Sequence, residues 1–248
     1  MKVKVLGSGG WIPTASRNTC TFLLENNGDF LFLDLGTGVA DFALYPEIRE
    51  ARKLTVLLSH YHLDHLIGLI YLLNICRDKE LVIYGPGKSV YGESCEDILC
   101  RLVQPPYFGR RLKDFSANVT IYDYDEGQRQ VSSNYVVEFV RQQHSQPSFG
   151  MLVNGALYYA TDTSVLRDTF EKARDAKLLL HECWEIGGDS GKHSSLKALL
   201  DLSKEYCLPD IKLIHINPNW TQDDFTLAES LIRGTQIAFV NDGEEFDV

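Results

Sequence analysis

Within the seven residues Ser59-His60-Tyr61-His62-Leu63-Asp64-His65 the chain gathers three of its seven histidines around one aspartate. Imidazole nitrogen joined by one or two carboxylate oxygens is a donor set that suits zinc, and with more oxygen it also suits manganese or iron. The run that leads into the cluster, LTVLLSH from Leu54 to His60, is continuous and apolar, as a buried strand would be. In an extended segment residues i and i+2 point the same way, so His60 and His62 at the end of that strand can converge on one ion. Asp64 and His65 fall at the start of a helix-like pattern that continues to about Cys76. They lie beside the first pair but aim elsewhere, as a second, adjacent ion requires.

Further along, His144, Asp162, His181 and His215 each sit at or close to the end of an apolar strand pattern. Side chains at the ends of neighbouring parallel strands converge into one crevice, which turns scattered histidines into candidate ligands. His181 is the expected exception. It is followed directly by Glu182, alternation sends the two to opposite faces of a strand, and only one of them can face the crevice.

The elements that must position these groups begin as a β-meander: KVKVLG, TCTFLLEN and DFLFLDLG, with Asn27-Gly28 as the hairpin turn between the second and third. Strand then helix follows twice, from LTVLLSH into Asp64 to Cys76, and from LVIYG into a helix expected from about Lys88 to Val103 and stopped by Pro105-Pro106. Gln104 to Ser116 reads as the most exposed loop. Strands return at VTIYDYD, NYVVEFVRQQH, FGMLV and ALYYATD, the last two joined by a second type I′ turn at Asn154-Gly155. Then come a helix near Val165 to Ala173, a strand KLLLHE, a helix from Ser194 to Tyr206, a strand KLIHIN, a helix from about Asp223 to Ile232, and a strand QIAFV. A strand-rich stretch followed by βαβ alternation, stated twice, predicts two stacked mixed sheets with helices outside.

At 248 residues and 44% hydrophobic content the chain can bury a large core, and one α/β domain spanning 1–248 is expected. No signal-peptide stretch and no membrane-span-length apolar run is present, so a cytoplasmic protein without a membrane partner is expected. The six cysteines form no CxxC pair and suit neither a disulfide framework nor a thiolate zinc site; they read as reduced and mostly buried. With 34 acidic against 24 basic residues the net charge is −10, a field that disfavours general nucleic-acid binding. Bound divalent cations would neutralise part of it.

The motif HYHLDH matches the HxHxDH signature of the metallo-β-lactamase superfamily, and nearly the whole chain follows that pattern. LGSGGWIPTASRN, from Leu6 to Asn18, resembles the ribonuclease Z branch. His144 with Pro147-Ser148-Phe149-Gly150, Ala160-Thr161-Asp162-Thr163, His181-Glu182, His193-Ser194-Ser195 and Leu213-Ile214-His215 resemble its later segments in order. The resemblance implies a four-layer αββα sandwich and assigns His60, His62 and His144 to one ion, Asp64, His65 and His215 to another, and Asp162 to both. It implies that Glu182 orients His193, which acts as proton donor or phosphate contact, and that the protein is a homodimer. The chain departs from the branch in two places. His215-Ile216-Asn217-Pro218 lacks the usual serine and arginine, and only 18 positions separate His144 from Asp162, where ribonuclease Z carries an arm that grips tRNA.

The expected activity is that of a dinuclear metal-dependent hydrolase. Two ions sharing Asp162 would share a water and lower its pKa toward roughly 7, generating a bridging hydroxide at neutral pH. Attack in line, with a proton delivered by His193 or through Asp64, fits a phosphodiester best. A small or cyclic nucleotide-like phosphodiester is the expected substrate. The alternatives are a ribonuclease Z that trims tRNA precursors, a hydrolase of another ester, thioester or lactam, and a non-catalytic ligand-binding module.

Overall fold

The computed structural model describes residues 1–115, 118–188, 190–206 and 210–248, with the side chains of 41–44 left out. The first half of the chain forms β1 (Lys2–Gly7), β2 (Thr21–Asn26), β3 (Asp29–Leu33), α1 (Pro46–Glu50), β4 (Lys53–Leu57), α2 (Leu69–Ile75), β5 (Glu80–Pro86), α3 (Lys88–Tyr91), α4 (Cys95–Leu102) and β6 (Asn118–Tyr124). The second forms β7 (Gly127–Gln130), β8 (Val136–Gln142), β9 (Ser148–Val153), β10 (Leu157–Ala160), α5 (Arg167–Ala173), β11 (Leu178–Glu182), α6 (Leu196–Ser203), β12 (Asp210–Ile214), α7 (Gln222–Ile232), β13 (Ile237–Phe239) and β14 (Glu245–Asp247). Two seven-stranded mixed sheets result, ordered β14-β1-β2-β3-β4-β5-β6 and β13-β12-β11-β10-β9-β8-β7.

Strand alternation sorts each sheet's side chains onto two faces. Phe22, Leu31 and Tyr124 from the first sheet and Phe139, Met151, Tyr159 and Leu180 from the second fill the space between sheets. Tyr124 stacks on Phe139 there with ring centroids 3.7 Å apart. The opposite faces pack outward, Phe32 and Val56 against Leu72 and Leu99 of α2 and α4, and Leu179 and Leu213 against Phe170 and Leu199 of α5 and α6. Helix, sheet, sheet and helix make the expected αββα sandwich. Both hairpin turns form as read, with positive φ at Asn27 and Gly28 and at Asn154 and Gly155, the type I′ requirement.

Local departures have identifiable causes. The strand leading to the histidines ends at Leu57, so His60 and His62 stand on a loop beyond it. The helix expected from Asp64 is a single 3₁₀ turn at Leu63–His65, and α2 begins only at Leu69. The break falls at Leu66, whose backbone leaves the helical region at φ −132°, and Gly68 then lies so close to Leu35 and Gly36 that a Cβ on it would meet the Gly36 carbonyl at 2.3 Å. The helix expected over Lys88 to Val103 is two helices, ended by Gly92 at φ 75° and restarted by Ser94, whose hydroxyl caps α4 by accepting from the Asp97 N–H. The stretch read as exposed loop buries Leu112 at 4% exposure inside another 3₁₀ turn. Four of the cysteines are buried and Cys100 is half-buried, all as free thiols, while Cys207 lies outside the described residues. Among the described residues no helix is long and apolar enough to cross a membrane.

Candidate active site

Loops at one end of the sandwich bring the expected donors together. One donor atom each from His60, His62, His144 and Asp162 lie within 4.8 Å of one another, as do those of Asp64, His65 and His215. Asp162 stands between the groups with one carboxylate oxygen turned to each. Its Oδ1 is 4.0 Å from His60 Nε2 and 3.4 Å from His144 Nε2, whereas Oδ2 is 2.8 Å from His65 Nε2 and 3.2 Å from His215 Nε2. His193 also approaches, completing a third group with Asp162 and His215. His181 joins none of them.

The far nitrogens are tied down. His60 Nδ1 is 2.9 Å from the Ser59 hydroxyl, His65 Nδ1 is 2.8 Å from Asp34 Oδ2, and His144 Nδ1 is 3.0 Å from the Lys192 carbonyl. Such contacts select the tautomer that leaves Nε2 as a lone pair facing inward. The Nε2 atoms of His60 and His65 are buried, make no regular hydrogen bond among the described residues, and both face the Asp162 carboxylate, at 4.0 and 2.8 Å. The cluster is therefore compatible with a dinuclear metal site. Electrostatics agree: burial opposes ionisation of Asp162, yet His215, His65 and His60 hold its carboxyl well below the usual range. Burial likewise opposes charging His65, but the carboxylates of Asp64, Asp162 and Asp34 outweigh it and hold that imidazole well above its ordinary pKa, so its Nε2 keeps a proton toward Asp162 that a bound cation would have to displace.

Asp34 was not foreseen from the sequence. Wholly buried after β3, it accepts from the Ser59 N–H at 2.7 Å, the Ser59 hydroxyl at 2.8 Å and the Tyr159 hydroxyl of the opposite sheet at 2.7 Å, besides contacting His65. The one signal available was a carboxylate ending an otherwise apolar strand pattern. Backbone strain marks the same region. Among the described residues six non-glycine residues have positive φ; Asn27 and Asn154 make the hairpin turns, and Trp11, Asp34, Asp162 and His215 all belong to the site. Each such residue outside a turn costs on the order of 1–3 kcal/mol and persists where the surroundings impose it. Gly10 is one such imposition, since a Cβ on it would come within 2.5 Å of the His215 ring.

Glu182 and His193 form the expected pair, with Nδ1 of His193 3.1 and 3.2 Å from the two carboxylate oxygens. Burial drives Glu182 well above the usual carboxyl range and pulls His193 below that of a free imidazole. Trp184 lies against His193, ring centroids 4.9 Å apart and 23° from parallel, and its carbonyl accepts from the Asn217 amide and the Trp220 indole.

His181 points the other way, toward Phe170 in the outer layer at 6.1 Å. Its Nδ1–H donates to the Glu182 carbonyl at 2.8 Å, its Nε2 is buried without a hydrogen bond, and burial lowers its pKa to about 4. An unfolded histidine titrates near 6.5, so the unfolded chain takes up a proton that the folded one refuses, and stability falls as pH drops from about 6.5 toward 4. Between pH 7 and pH 5 the metal-free protein should lose about 2 kcal/mol more than His181→Leu in urea unfolding. Equal losses would mean that His181 is not kept neutral by the fold.

His62, Asp64, His144, Asp162 and His215, with His193, line a cavity of about 720 Å³, walled by Trp184 and Ser145 and rimmed by Trp11, Ile12 and Leu63. The Trp11 N–H donates to Asp64 Oδ2 at 2.8 Å, and the Ile12 N–H to the Gly10 carbonyl at 2.8 Å, closing a γ-turn around Trp11 with its φ of 60°.

Fold and site define a metallo-β-lactamase-fold, ribonuclease Z-like, metal-dependent hydrolase. A ribonuclease Z of Methanosarcina mazei is 23% identical over 285 aligned positions that take in 90% of each chain. The metallo-β-lactamase fold protein YhfI from Bacillus subtilis superposes with a TM-score of 0.78 at 19% identity, covering 99% of this chain and 98% of its own. A diphosphatase from the PhnP family matches at TM-score 0.78 and 16% identity, over 100% and 97% of the two chains. The chain belongs to the family described as Anti-Pycsar protein Apyc1, which it matches over residues 1–246.

Proposed function

We propose that the protein is a phosphodiesterase acting on a small or cyclic nucleotide-like phosphodiester. His60, His62 and His144 with Asp162 are assigned to one divalent ion, and Asp64, His65 and His215 with Asp162 to a second, zinc first and manganese or iron as alternatives. When bound, such ions supply Lewis acidity and lower the pKa of a coordinated water toward neutrality. The protein's own part is proton handling and orientation. Glu182 accepts from Nδ1 of His193, which leaves Nε2 as the atom presented to the cleft, where it is placed to pass a proton to the departing alkoxide. Asp64, holding the Trp11 N–H, is a second route for that proton. Asp34 acts through His65, fixing its tautomer.

The observation that carries the small-substrate reading is the connection between His144 and Asp162: strands β9 and β10 joined by the three residues Asn154-Gly155-Ala156, turning at Asn154-Gly155. No tRNA-gripping arm fits there. A cavity of about 720 Å³ also lies within the range of roughly 300–1,000 Å³ common for small-ligand sites. The similarity to ribonuclease Z supports a second reading, a tRNA 3′-processing endonuclease, against which the net charge of −10 also weighs. Metal-loaded protein assayed on bis(p-nitrophenyl) phosphate, cyclic nucleotides, a tRNA precursor, a β-lactam and a thioester decides between them. The expected result is turnover of the small diesters far above the rest; processing of the tRNA precursor at kcat/KM near roughly 10⁶ M⁻¹s⁻¹ without turnover of the small diesters would overturn the proposal.

A further inference from the structure

The mouth of the cleft carries an apolar surface that the metal chemistry does not use. Trp11, Ile12 and Leu63 are 59%, 47% and 60% exposed, and all three line the cavity that holds Asp64 and His62. An indole this exposed adds nothing to the core, and apolar surface gathered at a cleft marks a binding function more often than chance. The backbone contribution of Trp11 is separable from its side chain. The main-chain N–H makes the contact to Asp64, and the γ-turn at φ 60° fixes the direction in which the side chain leaves the loop. Trp184, across the cleft, already has His193 against its ring, so Trp11 is the lining tryptophan that keeps most of its surface for a ligand.

Resting on the phosphodiesterase reading above, we propose that Trp11 is a specificity-determining residue: its indole, flanked by Ile12 and Leu63, is the stacking platform for the nucleobase of the substrate. The chemistry matches what an acidic protein lacks. At net charge −10 the long-range field repels a phosphodiester, whereas stacking on a base is uncharged and insensitive to salt. Because every base has a π-face, stacking also binds without demanding one base. The platform would thus select nucleotides over other phosphodiesters while tolerating different bases.

The test compares wild type, Trp11→Ala and Trp11→Phe on a nucleoside 3′,5′-cyclic monophosphate and on methyl riboside 3′,5′-cyclic phosphate, which keeps the diester ring and lacks the base. For the cyclic nucleotide, Trp11→Ala should raise KM roughly 5- to 100-fold with kcat little changed, and Trp11→Phe should restore most of the loss. For the base-free diester all three proteins should have the same KM. Equal KM increases for both substrates would place the effect on the loop and overturn the proposal, as would no change for either. A shift of Trp11→Ala to a different oligomeric state in sedimentation, with KM ratios unaltered, would assign the rim to a second copy of the chain and overturn it too. If wild type turns over neither diester, the phosphodiesterase reading falls by itself. Calorimetric binding of the nucleoside monophosphate then decides the platform, which requires Trp11→Ala to weaken that binding.

Discussion

Replacing Asp162 with alanine should empty both ion positions at once, taking metal content from close to two ions per chain to background and hydrolysis with it. The expectation follows from the carboxylate's placement, Oδ2 toward His65 and His215 and Oδ1 toward His60 and His144. Removing it takes one donor from each set of four and also the negative charge that offsets two dications in a buried site. His215→Ala removes a donor from one set only, so it should preferentially weaken one ion. Elemental analysis after loading with zinc or manganese distinguishes the cases. Two tightly held ions in Asp162→Ala, or fewer than one in wild type, would defeat the shared-ligand assignment.

His193→Ala should behave oppositely, keeping its metals while turnover falls by about 10² to 10⁴, the usual contribution of a positioned acid or base. Geometry gives this prediction an edge, because His193 falls within the same 4.8 Å grouping as Asp162 and His215. A ligand role is thus sterically open to it, and loss of an ion from His193→Ala would establish that role in place of proton transfer. Contact of Nδ1 with both oxygens of Glu182 favours the proton role. Glu182→Gln should accordingly keep its metals and show a smaller loss of the same kind, since an amide can still orient the ring but cannot stabilise its charge.

What the sequence revealed, and what it hid, follows from where the information sits. HYHLDH is a local pattern, so its four donors were legible, and each later donor stood at a strand end recognisable by its apolar run. Layering was legible for the same reason. Strand β7, GQRQ, was missed because all four residues are exposed and no apolar alternation marks them; β14 is a similar polar edge. The helix breaks at Leu66 and Gly92 depend on one non-helical backbone conformation and one left-handed cap, neither of which changes the hydrophobic period. Asp34 was hidden for a deeper reason. Its partners Ser59, His65 and Tyr159 lie 25, 31 and 125 positions away, and a contact at that separation leaves no trace in a single sequence read along its length.

The Tyr159 hydroxyl on the Asp34 carboxylate joins a strand of the second sheet to the loop that follows a strand of the first. The donor inventory divides along the same line: His60, His62, Asp64 and His65 come before β6, and His144, Asp162 and His215 after it. Neither half carries the whole of either donor group, and the Asp162 carboxylate and most of the hydrogen-bonded network that orients His65 arrive from opposite sides. Competence therefore appears only when the two sheets have docked face to face. A nascent or partly unfolded chain holds an inert collection of histidines, and the complete donor cluster of a hydrolytic centre exists only in the finished sandwich.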